Sequence, residues 1–137
     1  MKIINAIIAK RKAAEEAEEL KAREAYYAEH IKEVFRDNLK MMQSIVHNCP
    51  KGQAILIKFA CGNWWAEELR KEIPSLIEAV KNLDNRWGYI QGSGLGCVNP
   101  DNPCYNRDAE SILRALTTEP NSWLEGVKIA EWSYVPL

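Results

Sequence analysis

The chain has 137 residues, which gives room for one compact domain, or a smaller domain with an appendage, and too few residues for two full domains. Eighteen Lys and Arg against nineteen Asp and Glu leave a net charge of −1, without the basic surplus that phosphate neutralisation demands, so nucleic acid is not the expected partner. The opening MKIINAIIAKRK has an apolar run broken by Asn5 and closed by Lys10, Arg11 and Lys12, which matches neither a secretory signal nor a spanning helix. With four cysteines in no scaffold-like density, the expected setting is reducing and cytoplasmic.

All glycines, prolines and tryptophans lie after residue 49. From about residue 4 to residue 47 the chain is instead rich in Ala, Glu, Lys, Arg and Leu, which predicts one long helix over 1–49, stopped by Cys49-Pro50. In its second half Tyr27, Ile31, Val34, Phe35, Met41, Met42 and Ile45 recur at helical spacing and should dock on a core. The middle, KRKAAEEAEELKAREA, offers only alanines and Leu20 and can stand in water, while Ile3, Ile4, Ile7 and Ile8 make an apolar tip. About 43 helical residues span roughly 65 Å, against about 30 Å for a body built from residues 50–137, so a straight helix overhangs it. A break near Arg23 to Tyr27, or near Asp37-Asn38, would fold it back as a hairpin; the tip with its three cations could alternatively rest on an anionic membrane.

Residues 50–137 alternate between element types. QAILIKFAC, 53–61, is nearly continuously apolar, as in a central strand covered on both faces. Asn63 suits the N-cap of a helix that Pro74 should interrupt and Ser75 restart through its S-x-x-E pattern. RWGYIQ, 86–91, reads as a second strand, parallel to the first through the crossover helix. A turn at Gly92-Ser93-Gly94 then leads into a hairpin partner at 95–98. Asn106 or Asp108 caps a further helix with Ile112, Leu113 and Leu116 inward, and VKIAEWSYV, 127–135, is a last strand whose parity change predicts a bulge near Ala130. The expected fold is α+β, or small α/β: a long N-terminal helix, then a compact domain with a three- to four-stranded sheet and two or three helices.

No stretch names a reaction. Gly92, Gly94 and Gly96 follow a strand, where unhindered amides can cradle an anion, with Trp87 as a stacking wall and Asn106 or Arg107 as polar contacts. Yet the next helix opens about ten residues too late for a dinucleotide fingerprint, and no Walker lysine follows. Cys49, Cys61, Cys97, Cys104 and His47 lack the close pairs of a zinc site, and Cys97 with Cys104 as a disulfide does not suit a reducing cell. His47 beside Cys49 or Cys61 is the one nucleophile–base pairing worth testing. Trp64-Trp65 open a helix with their rings about 100° apart, so one faces outward as an interface anchor. Trp64, Trp65, Trp87, Tyr89, Tyr105 and Trp132 could also stack on bases, a reading that the absence of a basic balance weakens.

No catalytic residue, metal or cofactor is therefore expected. The expected activity is binding rather than catalysis: a protein partner, or a second copy, engaged through Ile3, Ile4, Ile7, Ile8, Trp64 and Trp65, as in an accessory inhibitor or modulator of a host enzyme or defence complex of the kind mobile elements carry. A small ligand or nucleotide at the Gly92–Cys97 loop is the alternative.

Overall fold

The structure, a computed structural model, describes residues 2–60, 66–90, 93–118 and 121–137. Its elements are helix α1 (Lys2–His47), strand β1 (Gln53–Phe59), helix α2 (Ala66–Lys81), strands β2 (Gly88–Ile90) and β3 (Leu95–Val98), helix α3 (Ala109–Thr117), a 3-10 turn (Ser122–Leu124) and strand β4 (Ile129–Pro136). This is an α+β fold with one four-stranded sheet in the order β2-β3-β1-β4, every neighbouring pair antiparallel.

The sheet separates two apolar layers. Ile55, Ile57 and Phe59 of β1 face α1 and α3, where they meet Met42, Ile45, Ile112, Leu113 and Leu116. Ala54 and Leu56 point the other way, with Leu95 and Cys97, toward Leu69, Leu76 and Val80 of α2. The period-2 alternation of an apolar strand thus feeds both cores, as a strand covered on both faces should.

Three expectations are corrected. β1 and β2 are not a paired parallel unit: each is antiparallel to β3, so they run the same way, but β3 enters by the β2 hairpin and occupies the place between them. The strand expected from Arg86 starts only at Gly88, and Gln91 lies outside the described residues. α2 runs unbroken through Pro74, because Leu69, Ile73, Leu76 and Val80, spaced 4, 3 and 4, form one face that packs against the sheet from both sides of the proline. Asn63 lies outside the described residues. Pro74 is exposed, and a proline inside a helix costs roughly 3 kcal/mol relative to alanine, partly offset by about 1 kcal/mol from its stiffer unfolded chain. Pro74→Ala is therefore expected to raise stability by about 2 kcal/mol, read as a higher urea midpoint at unchanged m-value.

The bulge falls where parity placed it. Lys58 pairs with Glu131 and Phe59 with Ile129, which leaves Ala130 as the extra residue.

Candidate interaction surface

α1 is one continuous helix, with no break at Arg23–Tyr27 or at Asp37-Asn38. Forty-six residues at 1.5 Å each make it about 69 Å long. Side chains 2–30 are all exposed, and burial begins at Ile31, Val34 and Phe35. The apolar stripe read from the sequence is trimmed at two positions: Val34, Met42 and Ile45 are buried, but Tyr27 and Met41 remain largely exposed. The tip residues Ile3, Ile4, Ile7 and Ile8 are 77, 62, 50 and 52% exposed.

Four side chains fix the direction in which this arm leaves the body. Asn38, buried among the apolar residues of α1, donates from Nδ2 to the Val127 carbonyl (2.9 Å) and accepts at Oδ1 from the Ile129 amide (3.1 Å). Its amide thereby pairs with the start of β4 as another strand would. Tyr134 of β4 donates its hydroxyl to the Ile45 carbonyl (2.6 Å), and burial pushes that phenol up from its ordinary pKa. Arg107 donates to the carbonyls of Val46 (3.1 Å) and Cys49 (2.6 Å) at the end of α1, while its other nitrogen pairs with Asp101 (2.6 Å). Asp101 also accepts from the Gly52 amide (3.4 Å). The last carbonyls of a helix lack internal partners, and a planar guanidinium can satisfy two of them at once.

Residues 93–106, SGLGCVNPDNPCYN, form a turn followed by a clip. Ser93 donates from both its amide and its hydroxyl to the Ile90 carbonyl and accepts from the Leu95 amide, which closes the β2–β3 turn. Gly94 has a φ of +73°, the left-handed region where a side chain is strained. A Cβ at Gly96 would come within 3.0 Å of the Leu116 side chain, so this glycine lets α3 lie close on the sheet. Beyond it, Asn99 accepts from the Asp101 amide and reaches the Val80 carbonyl, and Asn102 accepts from the Cys104 amide and reaches the Asn85 carbonyl. These are two Asx turns whose spare amide hydrogens tie the loop to the end of α2. Tyr105, fully buried, donates its hydroxyl to the Arg86 carbonyl. Asp108, rather than Asn106, caps α3 by accepting from the Glu110 amide.

Of the residues proposed for a ligand, those described do not line one cavity. Gly94 and Gly96 border a cavity of only about 10 Å³, space for about one water. Trp87 packs against the α1–α3 core with the Arg86 guanidinium over its ring at 5.2 Å. Asn106 and Arg107, at φ of 47° and 59°, precede α3, and Arg107 borders a separate groove of about 670 Å³ beside His47 and Cys49. In that groove the buried Cys49 thiol donates to the carbonyls of Pro50 and Gln53 (both 3.6 Å) rather than to His47. Burial pushes this thiol up, outweighing the nearby Arg107, which leaves it a poor nucleophile. Cys97, on the α2 side of the sheet, is pushed up to about 12 by burial alone, whereas Cys104 is exposed, and neither is bonded to another cysteine. No group of three His, Cys, Asp or Glu side chains suited to a metal converges among the described residues. Gly92, Cys61, Trp64 and Trp65 lie outside the described residues.

No family model, curated protein or solved structure matches this chain. The arm therefore has to be read from its own chemistry. Among the described helices none is long and apolar enough to cross a membrane. The sequence reading missed the Asn38 and Arg107 tethers. The signal for the first was present: an asparagine between Phe35 and Met42 on a helical apolar stripe has to find partners when buried, and here it finds strand ends rather than starting a break.

Proposed function

We propose that the protein is a cytoplasmic, non-enzymatic binding protein that works through protein–protein association, with residues 2–30 of α1 as its contact arm. The observation that supports this reading is the arm itself: four exposed isoleucines on a helix that no surface among the described residues covers. Each isoleucine in water forgoes on the order of 1.5–3 kcal/mol that burial would return. An accessory role follows from this, in which the chain inhibits or redirects whatever it holds. In the groove beside His47, the Cys49 thiol is hydrogen-bonded to carbonyls and pushed up by burial, which argues against a nucleophilic role there.

Native mass spectrometry of the protein isolated from its source cells tests the reading, with the full chain compared to a chain lacking residues 1–24. The full chain should carry at least one additional polypeptide above its 15.6 kDa, and the shortened chain none. Because side chains 2–24 are all exposed, removing them should leave the thermal transition of the body in place. Equal association by both chains would remove the arm from the account, and a bare monomer, or a monomer with only a small-molecule adduct, would remove the whole reading.

A further inference from the structure

The arm's charges are as unpartnered as its isoleucines. Lys10, Arg11 and Lys12 precede Glu15, Glu16, Glu18 and Glu19, and of these seven only Glu19 enters an ion pair, with Arg23 at 3.8 Å, among the described residues. A basic residue four before an acidic one is the weaker orientation for pairing within a helix. The two blocks are therefore available to another helix.

At 100° per residue, Ile4, Ile7, Arg11, Glu18, Ala22 and Ala25 fall within one arc of about 60°. The residues that α1 buries in the body, such as Val34, Asn38 and Ile45, lie on the opposite side of the same helix. Tyr27 belongs to that opposite side, where its hydroxyl comes near Gly126 of the body. An arm partner can thus approach without meeting the domain to which the arm is attached.

We propose that this face is covered by the same segment of a second copy, running antiparallel, with a twofold axis between Ala14 and Glu15. The inference rests on the contact-arm reading above and names its partner. In this register each residue lies opposite the one whose number brings the sum to 29. Arg11 then faces Glu18 of the partner subunit, twice by symmetry. Ile4 meets the partner's Ala25 and Ile7 the partner's Ala22, so large side chains lie against small ones. Parallel, in-register pairing would instead set cation against cation and carboxylate against carboxylate. The overlap also ends where it must: residue 2 reaches residue 27, one turn before Ile31, where burial against the body begins. Two bodies are thereby held roughly 50 Å apart on a two-helix rod.

Sedimentation equilibrium of the full chain over a wide concentration range at low salt tests this, with circular dichroism to confirm folding. The wild-type mass should approach twice 15.6 kDa. Arg11→Glu, which replaces two attractions by two repulsions, should weaken the dimer about tenfold, and Arg11→Glu with Glu18→Arg should restore it. Ile4→Glu with Ile7→Glu should leave only monomer. A dimer indifferent to Arg11→Glu would overturn the antiparallel register. A wild-type monomer would overturn self-pairing altogether, including a monomer that sediments with phosphatidylserine vesicles. If native mass spectrometry still finds another polypeptide on that monomer, lost with residues 1–24, the contact-arm reading survives its failure.

Discussion

Asn38→Ala is expected to destabilise the protein by about 4 kcal/mol, a loss in the range that only buried, multiply bonded groups produce. It removes one donor and one acceptor, leaving the Val127 carbonyl and the Ile129 amide in a buried place without partners. Each orphaned group costs about 1–3 kcal/mol, and the small void left by the side chain adds to that. A leucine of similar size should not rescue the loss, because the missing quantity is hydrogen bonding rather than volume. Asn38→Asp gives a sharper signature. The carboxylate can accept from Ile129 but cannot donate to Val127, so burial and the facing carbonyl should raise its folded pKa above the unfolded value near 3.9. Its remaining stability is therefore present below about pH 4 and lost as pH rises through the folded value. Urea unfolding of the two variants at pH 3.5 and pH 7 checks this. A flat pH response in Asn38→Asp would show that the donated bond to Val127 contributes little.

Arg107→Ala should cost about 2 kcal/mol, since a hydrogen bond to a charged donor contributes about 1.5–3 kcal/mol and the Cys49 carbonyl loses one, whereas the Val46 carbonyl still accepts from the Cys49 amide. The pair with Asp101 adds little, because both side chains are about a third exposed to solvent. Arg107→Lys should recover less than half of the loss, as an ammonium is a point donor and cannot span the Val46 and Cys49 carbonyls while holding Asp101. Part of the loss should return with glycine instead of alanine, since Arg107 sits at a φ of 59°, where glycine is unstrained and alanine is not. The diagnostic measurement is hydrogen exchange. In Arg107→Ala, amides in the last turns of α1 should exchange faster than those of β1, because opening there no longer breaks the arginine contacts. Uniform acceleration would mean that the arginine supports the fold as a whole rather than this helix end.

How much of the molecule was legible in the sequence depends on the range over which each feature is decided. The long helix, the central strand, the Asp108 cap and the bulge at Ala130 are set by near neighbours: absence of breakers, continuous apolarity, a side-chain oxygen before a helix and a shift of parity. Such features survive because helix and strand periods are local properties of the backbone. The exposed isoleucine tip follows from the same arithmetic once the helix is known to run unbroken, since a straight helix longer than the body has to leave it.

Contacts between distant residues decided the rest. Placing β3 between β1 and β2 depends on which strand edge is free when the hairpin closes, a choice that strand propensity does not encode. Pro74 stays inside α2 because burial of one continuous face outweighs a missing amide hydrogen bond. Asn38 and Arg107 look like a break and a ligand contact until the ends of β4 and α1 are brought beside them. There Asn38 pairs with the Val127 carbonyl and the Ile129 amide, and Arg107 with the Val46 and Cys49 carbonyls at the end of α1. The amino-acid sequence alone determined that a long helical stretch opens the chain and what its surface carries, while its unbroken course was settled only by the structure. Only the tertiary structure decided how that arm is anchored and which face it turns outward, because unsatisfied backbone groups arise only where separate segments meet.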